Sequence, residues 1–292
     1  MMSTRVKLGA FALGLVAVFG VALGVGAKAG PIAGTSASSH NAMSEHGSPM
    51  GEDTVQGLAV AQAGYRLVPT GLTLPVGPAV PFSFRVLDTE GMTLNSYEPS
   101  HDKDLHLIVV RRDLSGFQHV HPTRTGDGRW AVALDLSSAG AYRVFADFVP
   151  QGSAKSITLG TDVFVSGPFS PRSLPAPAAT TVVDGYTVKL TGNPTPGADS
   201  DLVFTVSHSG VDAILEPYLG AYGHLVSLRQ GDLAYLHTHP AQDAAIGRTA
   251  GPDIAFSADF PTAGVYRLFL NFQVEGKVLT AEFTVHVETK QP

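Results

Sequence analysis

Cysteine is absent from all 292 positions. That excludes disulfides, thiolate zinc sites, iron–sulfur clusters and a catalytic thiol. It also removes the thiolate that a blue-copper electron-transfer centre requires. Charge is sparse, with 15% of residues Asp, Glu, Lys or Arg, against about 25% in an average soluble domain. The formal net charge is −6, so the chain offers no electrostatic footprint for nucleic acid, which is excluded as a partner. A coiled coil is excluded by 32 Gly and 20 Pro, and 44% hydrophobic content argues against disorder throughout. Gly-x-Ser-x-Gly, a phosphate loop and a dinucleotide fingerprint are all missing. No motif supplies a nucleophile–base pair, so a binding protein rather than an enzyme is expected.

The first 29 residues hold Arg5, Lys7 and Lys28 but no acidic side chain. Leu8 to Ala27 is a run of 20 residues without charge. A positive flank before such a run directs a chain across a membrane. Ala27-Lys28-Ala29 reads as a cleavage site of a signal peptide. The length of the run instead favours a retained transmembrane anchor, because about 20 apolar residues span a bilayer. Either way, the body is expected outside the cytoplasm, membrane-anchored or secreted. Residues 30–57 are rich in Gly, Ser, Ala and Pro and read as a flexible linker. His40, Met43, His46 and Met50 within it are ordinary for a low-complexity linker, or else donors for loose copper capture.

What the chain does contain is one module written twice. Gly64-Tyr65 matches Gly185-Tyr186, and Pro81–Val86 matches Asp201–Val206. At a constant offset of 118, Glu98-Pro99 matches Glu216-Pro217, His106-Leu107 matches His224-Leu225, and His119-Val120-His121-Pro122 matches His237-Thr238-His239-Pro240. Ala139–Phe145 then matches Ala263–Phe269. Slowly drifting offsets mean small loop insertions between matched strands. The repeats are assigned to 58–167 and 181–290, joined by a Pro-rich linker over 168–180.

Seven short segments with period-2 alternation are expected per repeat. In the first they are Tyr65–Val68, Phe82–Leu87, Leu105–Arg111, Phe117–His121, Trp130–Leu136, Tyr142–Phe148 and Thr161–Val165. The fold predicted is all-β: two tandem immunoglobulin-like or cupredoxin-like antiparallel β-sandwiches behind the N-terminal membrane segment. Tyr142 and Tyr266, each following a Gly at a strand start, resemble a tyrosine corner. The repeated polar pairs Arg143/Arg267 and Asp147/Asn271 read as surface hydrogen-bonding positions.

Histidine carries the chemistry. Six of eleven form two matched triplets: His106, His119 and His121, then His224, His237 and His239. Residues two apart share a strand face, so His119 and His121 lie beside Phe117. A hairpin centred on Gly231-Asp232 sets His224 opposite His239, and the same arithmetic sets His106 opposite His121. Three neutral imidazoles on one face suit a divalent metal, Cu(II) before Zn by the general affinity order. One ion per triplet is expected. The competing reading is structural, with the histidines bonded to loop carbonyls or to the repeated carboxylates Glu98 and Glu216.

The segments Asp104–Leu114 with Phe117–Pro122, and Pro217–Leu225 with His237–Pro240, resemble a group of exported bacterial proteins common in actinobacteria. More distantly they resemble YtkA-like and copper-resistance β-sandwich domains of the cell envelope. The resemblance covers about residues 64–288 and implies an envelope location and an association with copper handling. The reading is a membrane-tethered, extracytoplasmic metal-binding protein, copper being the expected ion. The alternative is a metal-free immunoglobulin-like module that presents its loops to another envelope protein.

Overall fold

The computed structural model describes residues 55–289 other than 237, 242, 243 and 245–247, and for His239 the backbone alone. The N-terminal membrane segment and nearly all of the linker over 30–57 lie outside the described residues. All described residues belong to one compact unit, Glu52–Pro292. Among them no helix is long and apolar enough to cross a membrane.

Each repeat is a β-sandwich. In the first, the outer sheet runs Ala61–Gln62, Tyr65–Pro69, Gly77–Leu87, Trp130–Leu136, Thr123–Arg124. The inner sheet runs Thr73–Leu74, Ile157–Val165, Gly140–Pro150, Leu105–Arg111, Gln118–Val120, with Tyr97–Glu98 paired beside Gly140–Pro150. The second repeat has an outer sheet of Thr180–Val183, Tyr186–Thr191, Asp199–His208, Asp253–Asp259 and Thr238–Pro240. Its inner sheet is Tyr235–Leu236, Gly223–Arg229, Gly264–Val274 and Lys277–Val287. Pairing between these strands is antiparallel except where Thr73–Leu74 lies parallel to Ile157–Val165, and Pro196 and Phe260 form an isolated parallel bridge.

Alternation produces this layering. Phe82, Phe84 and Val86 point into the first sandwich between half-exposed neighbours, and Leu202, Phe204 and Val206 do so in the second. The tyrosine corners form: the hydroxyl of Tyr142 donates to the carbonyl of Ser138 at 2.8 Å, and that of Tyr266 to the carbonyl of Thr262 at 2.7 Å.

The Leu105–Arg111 strand departs from alternation, since all seven of its residues are buried. Leu105, Leu107 and Val109 enter the first sandwich. Ile108 and Val110 face the other way, into a third apolar cluster with Leu114, Phe145, Val226, Leu228, Leu233 and Phe269. The inner sheets of the two repeats therefore pack against each other, each covering the other's second face. Complete burial of one such aromatic is worth about 1.5–3 kcal/mol. The end of the linker enters this seam. The carbonyls of Gly57 and Leu58 accept from Arg143 at 2.6 and 2.8 Å. Gly57 has φ +73°, and a Cβ there would lie 2.7 Å from Phe145 and 2.9 Å from Tyr235, so only glycine fits.

Candidate metal centre

The seam also holds the histidines. The pairs Leu107–Val120, Ile108–His119 and Val109–Gln118 fix the register of Gln118–Val120 on Leu105–Arg111. One more step brings His121 beside His106, on the face that carries Ile108. The result is a triad: His106, His119 and His121 place one ring nitrogen each within 4.8 Å of one another. His106 Nδ1 is 3.0 Å from His119 Nε2 and 3.1 Å from His121 Nε2. Two ligands about 2.0–2.1 Å from one ion, at angles between a right angle and the tetrahedral one, are about 2.8–3.4 Å apart. The two spacings from His106 suit ligands of a single ion.

Proton positions sharpen the point. His106 Nε2 lies 2.9 Å from the carbonyl of Ser100, which only accepts, so that nitrogen carries the hydrogen and Nδ1 is a bare lone pair. The side-chain amide of Asn271 donates through Nδ2 to Thr280 Oγ1 at 2.8 Å, which turns its oxygen to His119. His119 Nδ1 donates to that oxygen at 2.9 Å, leaving Nε2 bare as well. Two lone pairs thus face each other across 3.0 Å. A cation between them relieves that repulsion. A proton is disfavoured there, because burial drives the pKa of His119 well below the usual imidazole range. Burial also lowers His106 and His121 to about 4 each, so all three are neutral ligands at pH 7.

His106 and His119 border a cavity of about 520 Å³ between the repeats, which Ser100, His101, Asp147 and His224 also line. An ion held by the triad would be reachable from this cavity. Asp147 stands opposite His106 in the inner sheet, accepts from Thr158 Oγ1 at 3.1 Å, and has its carboxyl pushed up to about 6 by burial.

The second triplet is arranged differently as far as it is described. His224 repeats the device of His106, its Nε2 donating to the carbonyl of Tyr218 at 2.8 Å, and burial lowers its pKa to about 4. Its ring lies 4.9 Å from that of His101 and 6.2 Å from that of His119, so it borders the first triad. His237 and the side chain of His239 lie outside the described residues. Their strand does not follow the expected ladder. Leu236 still pairs with Ser227 of the inner sheet, but Thr238, His239 and Pro240 pair with Ala258, Ser257 and Phe256 of the outer sheet. The register that set His224 opposite His239 stops short of them.

Two sequence expectations about polar neighbours need correction. Glu98 and Glu216 do not serve the histidines. Glu98 accepts from the backbone of Gly152, and Glu216 from Gln273 and the backbone of Gly276, bracing the hairpin ends. Arg143, Arg267 and Asn271 are not surface positions, being 7%, 7% and 4% exposed. The residues that sequence reasoning passed over are Asn271 and His101. His101 has Leu219 as its counterpart at the 118-residue offset, so the repeat comparison held no sign of it.

A family described as a domain of unknown function, DUF8832, matches residues 60–164 and again 180–289. No curated protein matches the chain significantly. Among solved structures, similarity extends to a DUF4426 family protein from Pseudomonas aeruginosa, with 7% identity and TM-score 0.28 over 38% of this chain and 98% of that one. The Escherichia coli adhesin FdeC matches with 15% identity and TM-score 0.25 over 79% of this chain and 66% of its own. InvD of Yersinia pseudotuberculosis matches with 11% identity and TM-score 0.24, over 80% and 61% respectively.

Proposed function

The chain belongs to the DUF8832 family, whose domain it carries twice, and from that premise we propose that it is an extracytoplasmic, membrane-tethered protein that binds a divalent transition metal through His106, His119 and His121. One observation carries the reading: His106 Nδ1 and His119 Nε2 face each other at 3.0 Å with their hydrogens committed elsewhere. His121 Nε2, 3.1 Å from His106 Nδ1, can donate to that lone pair, but His119 Nε2 still faces His106 without a hydrogen between them. The ligand set is three imidazoles without thiolate, which favours Cu(II) over Zn at equal geometry by the general affinity order. The hydrogen bonds from His106 to Ser100 and from His119 to Asn271 are the kind that orient histidine ligands and fix their tautomers.

The role is binding rather than catalysis, since the sequence supplies no nucleophile–base pair. The Leu8–Ala27 run supplies the tether and the outside location. The test is calorimetric titration of the purified protein with Cu(II) and Zn(II), before and after His106→Ala. Stoichiometric binding lost in the variant supports the proposal. A wild type that takes up neither ion refutes it.

A further inference from the structure

The triad depends on a residue of the other repeat that supplies no ligand atom. We propose that Asn271 is the positioning residue of the histidine triad, and that the metal site is complete only when the two repeats are docked. The inference rests on the metal-binding reading above.

The geometry starts at the aromatic pair. Phe117 stacks on Phe269 across the seam, with ring centroids 4.0 Å apart and planes 5° from parallel. Residues two apart on a strand share a face. One pleat further along each strand, His119 therefore meets Asn271, and their side chains close at 2.9 Å. Thr280, in the strand next to Asn271, accepts from the amide nitrogen and so points the oxygen at His119.

The chemical consequence follows from imidazole having one N–H when neutral. With Asn271 accepting, the hydrogen of His119 sits on Nδ1 and a lone pair faces His106. Without that acceptor, the hydrogen moves to Nε2 and donates to His106 Nδ1. The triad then satisfies itself with an N–H···N bond and closes to the ion. A carboxylate at 271 would keep the acceptor, and the duplication itself writes Asp147 at that position in the first repeat. Because the acceptor lies on the second repeat and the ligands on the first, ion binding and docking of the repeats favour each other by linkage.

The test uses the full chain and three variants: Asn271→Leu, Asn271→Asp and Thr280→Val. Cu(II) and Zn(II) affinities are measured by titration. The tautomer of His119 in the metal-free protein is read from the nitrogen-15 shifts of the ring. Expected are an Nδ1–H tautomer in wild type and Asn271→Asp, affinity within about threefold in Asn271→Asp, and a loss of about 10–100-fold in Asn271→Leu, the usual size for residues that orient ligands. Thr280→Val, the gentler change, should lose several-fold by freeing the amide to turn, and it decides the matter if Asn271→Leu does not fold. Metal binding in wild type with unchanged affinity and tautomer in the folded Asn271→Leu or in Thr280→Val overturns the inference alone. A wild type that binds neither ion overturns the metal-binding reading and this inference with it.

Discussion

Phe117 and Phe269 lie face to face across the seam with their ring centroids 4.0 Å apart, each from a different copy of the same module. The equivalent pair on the other side, Tyr235 and Phe145, is looser, at 5.5 Å with planes 52° apart. The seam thus has a tight side next to the histidine triad and a slacker side where the linker end, Gln56 and Gly57, meets Tyr235.

This seam changes what a single repeat should do by itself. A fragment of residues 181–292 has its own core around Phe204, Phe256 and Phe283 and should fold alone with a cooperative melt. It also exposes Val226, Leu228, Leu233 and Phe269, which the intact chain buries. Such a contiguous apolar patch promotes self-association. Size-exclusion chromatography should find the fragment dimeric or larger. In the full chain, Phe269→Ala should destabilise by about 3–5 kcal/mol, as removal of a buried aromatic does. A strictly monomeric fragment together with an unaffected Phe269→Ala melt would show that the seam does not hold in solution.

Acid should weaken the metal-free protein because its buried imidazoles resist protonation, and Asp147, whose carboxyl burial pushes up to about 6, offsets only part of that loss. His106 and His224, buried in the fold, have their pKa lowered from 6.5 to about 4. Between those values the unfolded chain binds more protons than the folded one, so stability falls as pH is lowered through that window. At about 1.4 kcal/mol per pKa unit, each contributes a loss of a few kcal/mol by pH 4. Denaturant melts from pH 7 to 4 should show this decline. Replacing His224 with a residue that does not titrate, as in His224→Gln, should flatten part of it. A stability constant from pH 6.5 to 4.5 would mean that these imidazoles are not held neutral by the fold.

Much of this arrangement was legible because the chain states it twice. The Leu105–Arg111 and Trp130–Leu136 strands fall where the apolar segments of the sequence put them, and the spacing of His106 from His119 and His121 gave the correct register. Alternation could not reveal that Leu105–Arg111 is covered on both sides, since a strand between two layers and a strand with one wet face can both start from Leu, Ile and Val. The hydrogen bond from His119 to Asn271 links residues 152 apart in different repeats. No local pattern encodes such a contact, and Asn271 looked like the surface partner of Asp147. The second H-x-H segment diverges for a related reason. Its strand transfers to the outer sheet between Leu236 and Thr238, a change of partner that the conserved spacing conceals.

The tyrosine corners offer a control that separates fold from site. Tyr142 and Tyr266 donate to carbonyls four residues upstream and lie away from the triad. Tyr142→Phe and Tyr266→Phe should each lower stability by about 0.5–1.5 kcal/mol, the net value of one hydrogen bond. Neither should alter Cu(II) affinity. A loss of metal binding in these variants, with the fold intact, would mean that affinity reports general rigidity rather than the three histidines.

Stoichiometry decides between one site and two. The duplicated histidines predict one ion per triplet, whereas the described residues assemble one triad, in the first repeat. The double change His119→Ala and His121→Ala removes two of its three ligands and leaves the second repeat intact. Titration should then lose the tight ion entirely, because removing a ligand costs more than removing a residue that merely orients one, itself worth about 10–100-fold. Weaker binding that survives comes from the second repeat if adding His224→Ala abolishes it, and from the His40–Met50 linker donors if it does not. Chelator provides an independent reading: an ion bound only by the folded state raises the melting temperature, and its removal lowers it. The double variant should be indifferent to chelator if no ion remains. Should the double variant instead titrate like wild type, His106, His119 and His121 are not the ligands, and their close approach is a feature of the seam alone.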